Sequence, residues 1–186
     1  MNDLHSLQSD FRFVRDSVAR LDRRSSSPYF LWSALVLCGF VLMDVRPVWV
    51  GPYWTILGPA GGALTGYLAW RERQRRGEVN RAMGMRHALH WSAMGCVIFL
   101  LVFMVGRGIT AEALGPIVLL VIALSYFQAG IHTDPPLRWM GLLTIAGYIV
   151  VLTVHTYAWS MVGVALAAGL MILGLREMRS RVVEAC

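Results

Sequence analysis

The chain has 186 residues, of which 56% are hydrophobic and 15% are charged, and its mean hydropathy is +0.56. Soluble domains are about 45–50% apolar, so this composition excludes an ordinary soluble domain. The formal net charge of +6 comes from arginines beside apolar runs; this pattern is typical of membrane topology and not of nucleic-acid binding.

Residues 1–28 form a polar segment ahead of the first apolar run. Apolar residues recur in it at alternating spacings of three and four, which is the a/d seam of a heptad repeat. They are Leu4, Leu7, Phe11, Val14, Val18 and Leu21. We predict a cytoplasmic amphipathic helix over residues 3–24, broken before the membrane by Pro28. The helix could pack on the protein's own cytoplasmic face, form a coiled coil with another copy or a partner, or lie in the lipid interface.

Six apolar runs follow, near residues 29–45, 49–70, 88–106, 113–131, 137–154 and 157–175. A bilayer core about 30 Å thick is crossed by about 20 helical residues, and each run has about that length. We therefore predict an all-α polytopic membrane protein whose six transmembrane helices occupy residues 29–175, with a cytoplasmic tail over residues 176–186.

The arginines orient these spans. All 17 basic residues are arginine, and with the N-terminus inside only Arg46 and Arg107 fall on outer loops. Because an arginine excess on short loops marks the cytoplasmic side, we predict a bacterial-type inner-membrane protein with both termini in the cytoplasm. The loop from Arg71 to Arg86 holds six arginines and two glutamates. It is interpreted as topogenic charge, with binding to an acidic partner or to anionic lipid headgroups as the alternative.

The second run is rich in glycine. Gly58, Gly62 and Gly66 stand four residues apart, and glycines at this spacing form a flat groove that another helix backbone can approach closely. The groove could pack against a neighbouring span of the same chain, form an oligomer contact or line a pore.

Two pairs of similar segments favour an origin from repeated helical hairpins. Trp32-Ser33-Ala34 matches Trp91-Ser92-Ala93, and Leu57-Gly58-Pro59 matches Leu114-Gly115-Pro116. The offsets are 59 and 57 residues. Hairpin repeats of this kind occur in transporter folds.

Histidines near the predicted cytoplasmic side are candidate ligands. His87 and His90 share one helix face at the start of the third run, and His132 and Asp134 follow the fourth run. An antiparallel arrangement of these two runs brings all four residues to one membrane side. Imidazole and carboxylate suit zinc, iron or nickel, and two histidines can ligate haem, so a metal or haem cofactor is one interpretation. Ordinary interfacial hydrogen bonds are the other.

The apolar runs contain few ionisable residues, and the sequence contains few candidate catalytic motifs. Runs two to six contain no Asp, Glu or Arg away from their ends, which argues against carboxylate-driven transport of protons or sodium. HExxH, CxxC and phosphate-loop motifs are missing from the sequence, so enzymatic function is not favoured.

The leading interpretation is therefore a non-enzymatic accessory or regulatory protein that docks a cytoplasmic or membrane partner through its N-terminal helix. The alternatives are an oligomeric channel or facilitator for a small solute or ion, and a membrane protein with a cytoplasmic metal or haem site.

Overall fold

The computed structural model describes residues 26–76, 81–105 and 111–185, and these residues form six α-helices and no strand. The helices are α1 (Ser27–Val45), α2 (Val50–Arg76), α3 (Arg81–Val105), α4 (Ala111–His132), α5 (Leu137–Thr153) and α6 (Ala158–Ala185). A short 3-10 turn, Pro47–Trp49, connects α1 to α2. Each helix covers one of the apolar runs, so the prediction of an all-helical fold is confirmed.

Proline and polar residues define the helix ends. Pro28 lies in the first turn of α1, where its missing N–H removes no helical hydrogen bond. After α4, the backbone N–H groups of Thr133 and Asp134 both donate to the carbonyl of Ala129, and two prolines follow before α5 begins. Tyr157, which directly precedes α6, has a φ of 53°, a left-handed conformation that is uncommon outside glycine. The chain thus reverses direction sharply between α5 and α6.

The helices are ordered differently in space than along the chain. The most extensive packing joins α1 to α6 and α4 to α5, and α5 also packs against α6. α2 packs on the outer side of α1, and α3 packs on α4, so the spatial order is α2–α1–α6–α5–α4–α3. The core lies among the four inner helices, where its buried apolar side chains include Phe40, Leu119, Met140, Leu166 and Leu170.

Glycines allow the inner helices to approach closely. A methyl group placed at Gly141 of α5 would lie 2.8 Å from the backbone nitrogen of Phe127 and 3.0 Å from the carbonyl oxygen of Ala123, both on α4. A methyl group at Gly163 of α6 would lie 2.5 Å from Cβ of Phe40 on α1. Helices in lipid associate largely through packing of this kind, since lipid tails are as apolar as the side chains.

Polar side chains also link neighbouring helices. The Ser33 hydroxyl of α1 donates to the carbonyl of Ala167 on α6 over 2.9 Å. On the other side of α1, Nε1 of Trp32 donates to the Thr65 hydroxyl of α2 over 3.0 Å. An apolar environment supplies no water to satisfy these groups, so the bonds hold the helix pairs in register.

Among the described residues, four helices are long and apolar enough to cross a membrane. The qualifying segments are Ser27–Val45, Gly84–Phe103, Ala113–His132 and Ala158–Arg179. α5 is apolar but has only 17 residues, and α2 has 27 residues whose glycines, prolines and aromatic rings add little hydropathy. The helices are compatible with a multi-pass membrane protein, while the number of six spans stays a prediction.

The two segments of each predicted repeat have similar helix partners but different surroundings. α1 packs against α2 as α3 packs against α4. Ser33 is nevertheless buried, whereas the matching Ser92 is exposed. A methyl group at Gly115 would lie 2.9 Å from the Trp159 ring, whereas one at the matching Gly58 would have no atom of another described helix within 4 Å. The repeated hairpins are therefore not established by the fold.

Candidate functional site

The bundle has two edge helices, α2 and α3, each of which packs on a single neighbouring α-helix within the described residues. None of the segment Gly84–Phe103 in α3 is buried, compared with 39% of Ala158–Arg179 in α6. Because helix association in lipid depends on packing and interhelical hydrogen bonds, a helix with one neighbour leaves most of its surface for lipid or for a protein partner. Within the described residues, the edge helices therefore leave open lateral surfaces.

The glycines predicted as helix-packing or pore residues lie on an open side of α2. A methyl group at Gly58, Gly62 or Gly66 would meet no atom of another described helix within 4 Å. A methyl group at Gly61, by contrast, would lie 2.7 Å from the Leu35 side chain of α1. The groove thus does not pack against another described span of the same chain. Its roles in an oligomer contact or a pore stay predictions.

The two histidines of α3 lie near α4. Nε2 of His90 is 3.0 Å from the Ser125 carbonyl oxygen, which can only accept, so His90 donates from this nitrogen. The next residue, Trp91, packs edge-on against Tyr126 with 5.7 Å between ring centroids, and the His87 ring lies 6.4 Å from that of Trp91. The start of α3 therefore lies beside the second half of α4, in agreement with the antiparallel arrangement expected from the sequence.

The other two candidate ligands lie in the turn after α4 and point to different environments. His132 is exposed, whereas Asp134 is only 4% exposed and accepts a hydrogen bond from the Tyr29 hydroxyl of α1. Across residues 26–76, 81–105 and 111–185, no three His, Cys, Asp or Glu side chains are grouped so that they could hold a metal ion. The predicted metal ligands are His87, His90, His132 and Asp134. The structure does not bring any three of them together.

Two aspartates that were not assigned a structural role from the sequence hold α1 at both ends. Oδ2 of Asp44 accepts a hydrogen bond from the Ser160 backbone N–H over 2.6 Å, in the first turn of α6, where N–H groups lack a partner within their own helix. Asp134 binds Tyr29 near the start of α1. An aspartate beside an apolar run can be noticed in the sequence. Its hydrogen-bond partner cannot, because the partners of Asp44 and Asp134 lie 116 and 105 residues away along the chain.

Aromatic and basic side chains mark the predicted cytoplasmic ends of the edge helices. Tyr67 and Trp70 of α2 are 52% and 58% exposed, and their ring centroids are 6.0 Å apart. Arg71 follows directly and is exposed, as is Arg86 near the start of α3. Tyrosine and tryptophan are enriched at the headgroup level of membranes. These aromatic rings and guanidinium groups are therefore of the kind found at the boundary between lipid chains and headgroups.

The heptad segment that was predicted to dock a partner lies outside the described residues. Its seam consists of Leu4, Leu7, Phe11, Val14, Val18 and Leu21. The first described residue, Ser26, stands just before α1, so this segment joins the bundle beside Tyr29 and the α4–α5 turn.

Comparison with known proteins identifies no relative from which a function could be carried over. No protein-family model, no curated protein and no solved structure matches this chain.

Proposed function

We propose that this chain is a non-enzymatic accessory or regulatory protein of a bacterial-type inner membrane, which docks a cytoplasmic or membrane partner through its N-terminal helix. In this proposal all six helices cross the membrane and both termini lie in the cytoplasm. The observation that carries it is the pair of edge helices, of which α3 has none of its membrane-length segment buried. A bundle with such open edges offers lateral surface to a second protein.

The inner helices support this proposal because their contacts favour a bundle of fixed shape. Ser33 bonds to the Ala167 carbonyl in the middle of the α1–α6 pair, and Asp44 bonds to Ser160 at one end of it. Phe40 fills the space beside Gly163 in the same pair. Because packing and two hydrogen bonds join α1 to α6, the outer surfaces of these two helices keep a fixed arrangement. A fixed surface is suited to binding a partner protein.

The N-terminal segment supplies the proposed recognition element. Its apolar seam recurs with heptad spacing, which is the geometry by which one amphipathic helix packs against another. Because Tyr29 is tied to Asp134, the segment leaves the bundle from a defined point on the predicted cytoplasmic face. A partner bound to it would be held next to the membrane.

The test is recovery of partners from native membranes. Deletion of residues 1–24 is expected to abolish recovery of a second polypeptide while membrane insertion is retained, because the seam is removed and the spans are not. Leu7→Gln combined with Val14→Gln should have the same effect. The matched control, Ser6→Ala with Ser9→Ala, changes the side of the same predicted helix that lies opposite the seam and should leave recovery unchanged. Equal recovery with and without residues 1–24 would refute the proposal.

An oligomeric channel or facilitator is the second candidate, and the open glycine face of α2 favours it. Gly58, Gly62 and Gly66 leave the backbone accessible along one side of the helix, and such a surface permits close packing with another helix. In this case a second copy of the chain would be the partner, and the assembled copies would pass a small solute or ion.

A further inference from the structure

We propose that the groove between the end of α1 and the start of α2 binds a phospholipid, with one acyl chain in the groove and the phosphate at Arg46. The inference rests on the membrane placement given under the proposed function, in which the turn between α1 and α2 lies on the outer side. It does not depend on partner docking by the N-terminal helix.

The groove is apolar and open at its side. It has a volume of about 380 Å³, which lies at the lower end of the range for ligand pockets, about 300–1,000 Å³. The side chains that line it are apolar or aromatic, and they are Leu42, Trp49, Pro52, Tyr53, Ile56 and Leu57. Trp49 and Ile56 are 61% and 66% exposed, so in the proposed placement the groove opens toward lipid.

Contacts of Tyr53 with α1 fix one wall of the groove. The Tyr53 hydroxyl donates to the Leu35 carbonyl over 2.8 Å. A methyl group at Gly39 of α1 would lie 2.9 Å from the Tyr53 ring, so the ring packs where α1 has no side chain. Because its hydroxyl is bound by α1, Tyr53 presents its apolar ring to the groove.

Backbone hydrogen bonds place Arg46 at one end of the groove. Its N–H donates to the Leu42 carbonyl over 2.9 Å, and its own carbonyl accepts from the Trp49 N–H over 3.0 Å. Both partners line the groove, so Arg46 is joined directly to two of its walls. Arg46 is exposed, and a guanidinium group forms paired hydrogen bonds with phosphate oxygens.

The groove lies at the depth of the lipid chains, and Arg46 lies at the depth of the headgroups. Residues 50–70 carry no charged side chain, and at 1.5 Å per residue they extend over about 31 Å, which matches a hydrocarbon core of about 30 Å. Arg46 precedes this stretch by four residues. From Trp49 to Leu57 the groove follows about 12 Å of the chain, close to the thickness of one leaflet, about 15 Å.

The width of the groove favours an acyl chain over another helix. A volume of about 380 Å³ along about 12 Å corresponds to a mean cross-section of about 30 Å². A helix with its side chains is about 10–12 Å across, which is about 80–110 Å². The large side chains of Trp49, Tyr53 and Ile56 border the groove, whereas close approach of a second helix requires small residues. An acyl chain is a single file of methylene groups and is far thinner than a helix.

The nearest carboxylate in the sequence does not face this groove. Asp44 accepts a hydrogen bond from the Ser160 N–H of α6, and it lies about 200° around α1 from Leu42. The first turn of α2 contains no acidic residue. The end of the groove at Arg46 therefore favours an anionic group, and every phospholipid supplies one in its phosphate.

Two residues elsewhere provide matched comparisons. Arg138 is an exposed arginine whose guanidinium carbon lies 5.6 Å from the centroid of the Trp139 ring, so it combines a cation with an aromatic ring outside the groove. Ile172 of α6 is 64% exposed, nearly as much as Ile56, and does not line the groove. If general contact with lipid were sufficient, variants at these positions would behave like variants of the groove.

The experiment measures lipid bound to the purified, delipidated full-length protein in detergent, by native mass spectrometry. The probes are phosphatidylglycerol and a diacylglycerol with the same acyl chains and no phosphate. The wild type should bind one phosphatidylglycerol in preference to diacylglycerol. Arg46→Gln should weaken phosphatidylglycerol binding by about fivefold, the effect of one basic side chain near the headgroups, and should leave diacylglycerol binding unchanged. Arg138→Gln should change both by less than about twofold.

A second pair of variants tests the groove itself. Ile56→Trp narrows it and should weaken binding of both lipids by about fivefold or more, because the acyl chain loses its packing contacts. Ile172→Trp should change binding by less than about twofold. Both positions are exposed, so both variants should keep the wild-type unfolding midpoint, which shows that a loss of lipid is not a loss of fold.

Several outcomes would overturn the site. They are equal binding of the two lipids by the wild type, equal effects of Arg46→Gln and Arg138→Gln, and equal effects of Ile56→Trp and Ile172→Trp. Displacement of the lipid by glycerol 3-phosphate would show a phosphate site without the groove, and a dimer lost in Ile56→Trp would show that a second copy occupies it. Deletion of residues 1–24 should leave lipid binding intact whether or not partner recovery is lost, so the two proposals fail separately.

Discussion

Asp44 shows how one carboxylate at the end of an apolar helix joins two helices. It is the penultimate residue of α1, and its Oδ2 accepts a hydrogen bond from Ser160 N–H in the first turn of α6. The acceptor is supplied by a different helix, yet it acts as an N-cap would, because it satisfies an N–H with no intrahelical partner. Its negative charge also lies at the positive end of the helix dipole. The interaction thus stabilises both α6 and the α1–α6 pair.

Replacement of Asp44 by alanine is expected to lower the free energy of unfolding by about 1–2 kcal/mol, the loss typical of an N-cap with a charge at the helix start. Asp44→Asn keeps an oxygen acceptor and should lose only part of this. The control is Thr55→Val, because the exposed Thr55 hydroxyl donates only to the Gly51 carbonyl of its own helix. Thermal unfolding in detergent measures the difference. Equal stability of Asp44→Ala and the wild type would contradict the cap.

Two adjacent glycines show that the sequence does not predict which glycine of a helix is in contact with another helix. Gly61 and Gly62 are neighbours in a glycine-rich run, yet a methyl group would meet Leu35 at the first and no described atom at the second. The spacing of Gly58, Gly62 and Gly66 correctly marks one helix face, but a period of four carries no information about which helix, if any, covers that face. Likewise, the aspartates beside the apolar runs were visible, but their partners Ser160 and Tyr29 were not.

At the scale of elements, the helices themselves follow from the sequence. Each apolar run became a helix, because a backbone surrounded by lipid must satisfy its hydrogen bonds internally and prolines and polar turns separate the runs. The pairing of helices does not follow so directly. α1 pairs most extensively with α6, from the far end of the chain, and this pairing depends on the fit of Phe40 beside Gly163. Such a fit is a property of two surfaces that are distant in sequence.

The α4–α5 hairpin should be sensitive to added volume. Gly141→Ala would push a methyl group toward the Phe127 nitrogen and the Ala123 oxygen, which are backbone atoms that cannot rotate away. We expect a loss of about 1–3 kcal/mol in the free energy of unfolding, as for other overpacked cores. Thermal unfolding in detergent provides the measurement, and an unchanged midpoint would show that the two helices are not in close contact.

Gly62→Leu is the matched variant for this prediction, because its side chain would extend into a region without described neighbours. It should retain the wild-type unfolding midpoint. If the glycine face joins copies of the chain, this variant should instead reduce the oligomer fraction in size-exclusion chromatography with light scattering, and solute flux in reconstituted vesicles should fall with it. A folded variant with unchanged oligomeric state would remove the support for the channel candidate.

At the scale of the whole molecule, the arrangement of α2 and α3 distinguishes this chain from a closed six-helix bundle. They are consecutive in sequence, yet each packs on a different inner helix. Sequence analysis predicts the amount of apolar surface but not this arrangement, because the faces that meet other helices and the faces that meet lipid are similarly apolar. The candidate interaction surfaces therefore emerge only when the order of the helices is known.

The number of spans is the remaining property of the whole molecule that an experiment can decide. α2 has low hydropathy and α5 is short, so a chain with four spans would leave both of these helices on a single side of the membrane. Four positions report on this: Val48 in the turn after α1, Gln74 near the end of α2, His132 at the end of α4 and His155 after α5, all of which are exposed.

We expect all six helices to cross, because α2 has about 21 uncharged residues followed by four arginines, and arginine is retained on the cytoplasmic side. Single cysteines are introduced at the four positions after Cys38, Cys96 and Cys186 are replaced by alanine. A membrane-impermeant maleimide should label Val48→Cys and His155→Cys in intact cells. Gln74→Cys and His132→Cys should react only after permeabilisation. Labelling of Val48→Cys and Gln74→Cys from the same side would show that α2 does not cross, and the same result for His132→Cys and His155→Cys would exclude α5.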